Sequence, residues 1–310
     1  MALNYAQVWT PDLLEIMEQE SLTSPFVTTA VKWLSAKTFH FTQMSTSGYK
    51  AHSRLGGWNK GTFAQTDVPF TLTHDRDISF LVDKIDVDET NETASIKNIS
   101  EVFHKTQQIP EMDAYFYSKV ATEAQKLTGY HSSTALSSYT KENVYGKLKA
   151  MLSAGKLRRY VAKGALIAYV NSTIMDLLEQ STDFTRKIEM TQIAEGGIGI
   201  ETRITDIDGV TLIEVIDNER FYDKFDFTDG FVPVASTSHK INVLIASPLT
   251  VKTVPKIASI YYFNPGQHTE GDGYLYQDRS LSDTFVFPNG KDNKIDSIYV
   301  DVDTETYTAE

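Results

Sequence analysis

The sequence predicts an α+β chain in which β-rich segments flank a helical stretch and a mixed α/β region. Three observations predict it. Runs of alternating or β-branched and aromatic character fill 36–81 and return over 256–302. Apolar residues fall at helical spacing over 93–128. Between these regions, buried-strand runs and helical patterns interleave.

The first 35 residues read as an arm. Leu13, Leu14 and Met17 form one short amphipathic turn, followed by Phe26, Val27, Val31, Trp33 and Leu34. The stretch is apolar, yet too short and broken to bury itself. From residue 36 the character changes. TFHF and VPFTLTHDRDISFLV predict strands, and GYKAHSRLGGWNKGTFAQTD lies between them with Gly48, Gly56, Gly57 and Gly61. Glycines with Lys, Arg and Asn at a hairpin tip predict a long, solvent-reaching loop. A two-stranded hairpin has almost no core of its own and must lie on something, here expected to be another chain.

Over 93–128, Ile96, Ile99 and Phe103, then Met112, Phe116, Val120 and Leu127, share helical faces. Pro110 either kinks one long helix or opens the second of two, and Gly129 supplies a C-terminal stop. The Ser- and Thr-rich stretch 130–139 reads as a linker. Thr140 is expected to cap a helix carrying Val144, Leu148 and Leu152. ALIAYV (165–170) reads as a buried strand, and Thr173 with Asp176 is a weak capping box. Strands are expected at 198–204 and 210–216 around the turn Asp208–Gly209. INVLIAS (241–247) is a further strand, with Pro248 opening a short helix.

Composition narrows the function classes. The 310 residues are 41% hydrophobic and 23% charged, as in an ordinary soluble globular protein. With no cysteine there is no disulfide, thiolate metal site or Cys nucleophile, which suits cytoplasmic folding. No apolar run reaches the roughly 20 residues of a membrane span. The N-terminus carries early acids and no basic region, so it does not read as a signal peptide. The sequons at Asn91, Asn98 and Asn171 therefore carry little meaning. A net charge of −12 argues against reading of nucleic-acid sequence.

VDKIDVDETN (82–91) concentrates the acids Asp83, Asp86, Asp88 and Glu89. As a calcium loop started at Asp86 it fails, because Asn91 stands where Gly belongs and Lys97 where a bidentate Glu belongs. Asp206 and Asp208 are followed too early by Gly209, and Glu270 and Asp272 lie in a glycine-rich turn. No phosphate-binding loop is present. GGWNKGT has Lys60 before Gly61, and GGIGI (196–200) lacks the following helix and acid. The histidines at 40, 52, 74, 104, 131, 239 and 268 are scattered, with no flanking catalytic motif. No catalytic, cofactor or metal residue is assigned. Seven bases, Lys141, Lys147, Lys149, Lys156, Arg158, Arg159 and Lys163, face one acid, Glu142. A solvated face is the preferred reading, with a patch for nucleic acid or an acidic neighbour as the alternative.

The order of parts carries a resemblance. HDRDISFLVDKIDVDETN (74–91) followed by IPEMDAYFYSKVA (109–121) is similar to the passage from extended loop to spine helix in the major capsid proteins of tailed bacteriophages. DGVTLIEV (208–215), INVLIASPLTVKTVPK (241–256) and DGYLYQDRSLSDTFVF (272–287) resemble the axial-domain strand, helix and final hairpin of that family. The resemblance implies an α+β capsid fold. Its parts would be an N-terminal arm (1–35), an extended β-hairpin loop (36–81), a peripheral domain with a spine helix (82–135 and 251–310) and a mixed α/β axial domain (136–250). It implies a structural, non-enzymatic protein without cofactors. That protein would self-assemble into hexamers and pentamers of an icosahedral head around double-stranded DNA. The other reading is the encapsulin-like shell of a bacterial compartment.

Arg54, Trp58 and Lys60 at the loop tip would then be intersubunit contacts, and Asp83, Asp86, Asp88 and Glu89 intersubunit or helix-capping acids. The implied partners are further copies, a separate scaffolding protein and a portal, with DNA near by non-specific proximity only and no membrane. The implied location is the virion, after assembly in the host cytoplasm.

Overall fold

The structure is a computed structural model and describes residues 20–29, 33, 35, 37–52, 54, 56, 58–89, 96–181, 188–190, 203–289 and 294–308. In chain order its first half contains β1 (Thr38–Thr46), β2 (Phe63–Thr71), β3 (His74–Asp83), α1 (Lys84–Glu89), α2 (Ile96–Phe103), α3 (Ile109–Gln125), β4 (His131–Ser133), α4 (Val144–Leu152) and α5 (Arg158–Val161). Then follow β5 (Ile167–Asn171), α6 (Ser172–Glu179), β6 (Ile188–Met190), β7 (Arg203–Ile207), β8 (Val210–Val215), β9 (Phe225–Asp226) and β10 (Val232–Pro233). The last strands are β11 (His239–Ala246), β12 (Val251–Phe263), β13 (Gly273–Val286) and β14 (Ile298–Thr306).

A seven-stranded sheet, ordered β4-β14-β11-β5-β8-β7-β6, carries the main core. Successive strand residues point to opposite faces, so β5 sends Tyr169 to one side and Ala168 and Val170 to the other. On the Tyr169 side the sheet packs against Phe116, Tyr117, Val120, Ala121 and Ala124 of α3. On the other side it packs against Val144, Leu148 and Leu152 of α4, Tyr160 of α5, and Ile174 and Leu178 of α6. The central strands are apolar on both faces because both faces are covered. At the β7–β8 turn, Asp208 and Gly209 both have positive φ, as a two-residue hairpin turn requires.

A second, three-stranded sheet has the order β12-β13-β3. Strand β3 was expected to belong to the extended hairpin. It pairs instead with β13 from Asp83↔Gly273 to His74↔Ser282. A side chain at Gly273 would lie 2.3 Å from the Val82 carbonyl oxygen, so the first rung of this pairing needs glycine. The hairpin itself is β1 and β2, in register from Thr38↔Thr71 to Thr46↔Phe63.

The helical run is continuous from Ile96 to Gln125 but contains a π-helical turn at His104–Gln108. Pro110 stands in the first turn of α3. It has no N–H to give, and its ring crowds the carbonyl four residues back. The wider turn just before it absorbs that mismatch.

Several local expectations need correction. Residues 131–133 are not a linker; they form β4, parallel to β14, with Val300, Asp301 and Val302 opposite. Asn143 stands at the N-cap of α4, its side chain accepting from the Thr140 N–H, rather than Thr140 capping it. The cap of α6 is Asn171, whose side chain accepts from the Thr173 N–H at 3.0 Å. Pro248 opens a turn leading straight into β12, and not a helix. Of the arm, Leu13, Leu14, Met17, Val31 and Leu34 lie outside the described residues, as do 191–202 with the glycine cluster GGIGI.

Candidate intersubunit surface

The β1–β2 hairpin leaves the body of the molecule from an aromatic root. Phe39 packs edge-on against Phe285 at 5.2 Å and stacks on Phe70 at 5.6 Å, with Trp33 and Phe287 around them. This satellite core, with Leu72, Val254 and Leu281, fixes where the hairpin starts. Charges reinforce it from outside. Asp75 of β3 accepts from Arg279 of β13 through Nε (3.1 Å) and Nη2 (3.0 Å), and from Lys37 Nζ at 3.0 Å. The hydrogen bonds from Arg279, then Lys37, hold the Asp75 carboxyl down at about 2.

Asp283 of β13 holds the turn between hairpin and β3. It accepts from the Thr73 N–H (2.9 Å), the Thr73 hydroxyl (2.8 Å) and the Tyr115 hydroxyl of α3 (2.8 Å). Burial and the neighbouring Asp283 charge push the Tyr115 phenol well above its ordinary range.

Beyond the root, the hairpin residues Met44, Tyr49, Trp58 and Phe63 are exposed among the described residues. Its neck closes where the Ser47 N–H donates to the Thr62 carbonyl (2.8 Å) and the Thr62 N–H donates to Ser47 Oγ (2.9 Å). Within the tip, Asn59 Nδ2 donates to the Ala51 carbonyl at 2.8 Å. Arg54, Trp58 and Lys60 all lie in this tip segment and are exposed, with Trp58 96% accessible. Tyr49 is as open as Trp58, and sequence reasoning missed it; its signal was an aromatic beside Gly48 in a loop otherwise small and polar. From Thr38 to Thr66 the hairpin contains no acid at all, while the whole chain carries −12. Its tip is therefore cationic and aromatic, a pairing favoured at protein interfaces.

Of the acids of 82–91, the described side chains are those of Asp83 and Asp86. Asp83 ends β3, and its carboxylate accepts from the Ile85 N–H at 2.8 Å at the entrance to α1. Asp86 is exposed in the first turn of α1. Asp88 and Glu89 belong to α1 by backbone, and their side chains lie outside the described residues. No group of three or more metal-ligating side chains occurs among the described residues.

A cleft of about 510 Å³ lies between β3, β13, α3 and the loop 228–230. Its polar groups are engaged with one another. His74 stacks on Tyr115 at 3.9 Å and lies 3.4 Å from Glu111, and Glu111 receives Arg76 Nε at 2.6 Å. Arg76 also donates to the carbonyls of Phe227 and Gly230. The cleft thus pins β3 to α3 and to the 227–230 loop. Of the bases between 141 and 163, four turn to their own chain. Lys147 sits 4.2 Å over the Tyr139 ring, Lys149 pairs with Asp208 at 3.1 Å, Arg158 donates to Ser153 Oγ, and Arg159 lies 3.9 Å from Asp296. Lys141, Lys156 and Lys163 are exposed.

The arm reads in sequence as too short and broken to bury itself, yet residues 22–26 dock into their own chain. Phe26 is fully buried, 4.7 Å from Phe116 and 6.2 Å from Tyr169. The buried carboxylate of Asp113 on α3 accepts from Ser21 Oγ (3.1 Å), the Leu22 N–H (3.1 Å), Thr23 Oγ1 (2.6 Å) and Arg220 Nη1 (3.2 Å). Burial pushes Asp113 upward, against the pull of the Arg220 guanidinium and the arm donors.

No protein-family model matches the chain, and no curated protein matches it. Solved structures do. A chain of the bacteriophage PhiM1 mature capsid superposes with a TM-score of 0.64 at 12% identity, covering 97% of this chain and 92% of that one. A chain of the capsid of cyanophage P-SCSP1u gives 0.61 at 10% identity, covering 98% and 94%. A chain of the capsid of Ralstonia phage GP4 gives 0.59 at 9% identity, covering 100% and 98%. The chain has the α+β fold of these phage capsid chains over nearly its whole length.

Proposed function

We propose that this protein is a structural subunit of the major capsid kind. Copies associate into hexamers and pentamers, and these close into an icosahedral head around double-stranded DNA. One observation carries the reading: the full-length fold likeness to phage capsid chains. The β1–β2 hairpin supplies a device suited to it, because its tip is exposed among the described residues and a second copy could cover it. An isolated hairpin is marginal in water, so a tip bearing Tyr49 and Trp58 in solvent is understandable when a second copy receives it. Heterologous contacts of this sort generate rings when the rotation closes.

In this reading 1–35 is the arm, 36–81 the extended loop together with β3, which returns it to the three-stranded sheet, 82–135 with 251–310 the peripheral domain and 136–250 the axial domain. Arg54, Trp58 and Lys60 are the hairpin's contacts with the adjacent subunit. Asp83, Asp86, Asp88 and Glu89 cap α1 or meet bases of a neighbour. The role needs no cofactor and no catalysis. A separate scaffolding protein and a portal are the expected assembly partners, DNA lies nearby without specific contacts, and the location is the virion after assembly in the host cytoplasm. The neighbours named above are phage particles, which favours a phage head over an encapsulin-like compartment shell.

The test is deletion of 46–64, bridged by a short turn. The full chain, expressed with its candidate scaffold, is expected to elute early and show rings, tubes or shells by negative-stain electron microscopy. The deletion is expected to stay folded by circular dichroism and to form none. Intact shells from the deletion would refute the role given to the hairpin. A full chain that stays monomeric with every candidate scaffold would refute the shell itself.

A further inference from the structure

The three-stranded sheet has β3 and β12 as its outer strands, and their edges are treated differently. The β3 edge carries Asp75, Arg76, Asp77 and Asp83, charges of the kind that keep an edge strand from pairing with another chain. The β12 edge carries its guards, Lys252, Pro255, Lys256 and a bulge between Pro255 and Ile257, only toward its root. From Ile257 to Phe263 it reads IASIYYF, without a charge or a proline, between Lys256 and Asn264. Its side chains are open on both faces: Ile260 is 65% accessible and Tyr261 55%.

At its root the same edge already accepts a strand. Val27 bridges Thr253 in parallel, and the Thr28 N–H donates to the Thr253 carbonyl at 2.9 Å. Among the described residues nothing pairs with this edge beyond that point. An uncharged, seven-residue apolar edge left open would aggregate, so it requires a defined cover.

The sequence of the edge says which cover fits. Laid antiparallel against a second copy of itself about Ile260, it places Tyr261 opposite Ser259, Tyr262 opposite Ala258 and Phe263 opposite Ile257. Each tyrosine thus meets a small residue across the seam, the large-against-small arrangement that lets cross-strand neighbours pack. Lys256 falls opposite Asn264, at the start of the acidic tip with Glu270 and Asp272, so no like charges oppose one another. The tyrosine hydroxyls can remain in water while their rings are covered.

We propose that the β12 edge pairs with the β12 edge of a second copy across a two-fold axis at Ile260, joining two three-stranded sheets into one of six strands. The inference rests on the reading of the protein as a self-assembling shell subunit. It adds a contact of different symmetry from the hairpin's. An isologous pair uses one patch on both copies and links subunits of separate rings.

The absence of native cysteine makes the test direct. Directly opposed residues of an antiparallel pair have Cα atoms about 4.5–5.5 Å apart, within the roughly 4.4–6.8 Å that a disulfide spans. Under mild oxidation the single variant Ile260→Cys is expected to run as a covalent dimer on a non-reducing gel. Ala258→Cys alone is expected to remain a monomer band, because its two copies lie four residues out of register. The double variant Ala258→Cys with Tyr262→Cys is expected to dimerise. A charge at the axis, Ile260→Lys, is expected to abolish dimerisation of that double variant. Electron microscopy of the unoxidised sample reports particle formation separately, so loss of particles and loss of the cross-link are read independently. A monomer band from Ile260→Cys, in particles or in free solution, overturns the pairing. Cross-linking of Ile260→Cys to a cysteine placed at Met44 overturns it as well, and would assign the edge to the hairpin.

Discussion

At the scale of single residues, the least expected feature is Phe26. It lies in a segment too broken to predict as structure, yet its ring sits between α3 and the central sheet with no accessible surface. Removal of a buried phenylalanine ring costs about 3–5 kcal/mol, transfer and cavity terms together. Phe26→Ala is therefore expected to lower the unfolding free energy of the free subunit by an amount in that range, read from its urea unfolding curve. If the arm docked only on neighbouring copies, the free subunit would show almost no change, and that result would reject the intrachain docking. The donors that converge on Asp113 explain why the docking was illegible in sequence. Ser21, Leu22, Thr23 and Arg220 lie about ninety positions before it and over a hundred after it. Periodicity reports the face a residue occupies, and carries no information about partners so distant.

Among the elements, the long strands, the helical run and the two-residue turn at Asp208–Gly209 were legible. Each is set by local chemistry: alternation, helical spacing, or positive φ that Gly relieves. Membership of β3 was not legible, because VPFTLTHDRDISFLV reads as one β-rich run. The break falls at Leu72 and Thr73, where Asp283, some two hundred residues later, takes the Thr73 N–H. The same place yields a test of how the hairpin root is held. Asp75 joins Lys37 before β1, β3 and Arg279 of β13, and its carboxyl is lowered from 3.8 to about 2 in the folded chain. A lowered acid contributes stability that is complete above the unfolded value and is lost as pH falls through the folded one. Asp75→Asn is thus expected to cost about 1 kcal/mol or less per lost pair at neutral pH. The gap between the two proteins is expected to narrow as pH falls from neutrality below 4 and toward 2, read from denaturation midpoints across that range. A gap that stayed constant would show that the side chain acts by shape alone and not by charge.

For the whole molecule, the proposed self-assembly raises the question of which force governs it. Each copy carries −12, so copies repel over distances set by screening. Attraction between exposed ions, such as Arg54 or Lys60 with acids of a neighbour, is worth about 0–1 kcal/mol per pair. The apolar groups left open, Tyr49 and Trp58 at the hairpin tip and Ile260 and Tyr261 on the β12 edge, gain from burial whatever the salt. Raising sodium chloride from about 0.1 M to about 1 M shortens the screening length from roughly 10 Å to roughly 3 Å. That removes most of the long-range repulsion and only the small contribution of the ion pairs. Assembly at fixed protein concentration is therefore expected to increase with salt, followed by light scattering and checked by electron microscopy for ordered particles. A decrease would mean that the cationic tip, rather than the aromatics beside it, supplies the main attraction. Arg54→Ala with Lys60→Ala would then remove the salt dependence, whereas Trp58→Ala would leave it in place.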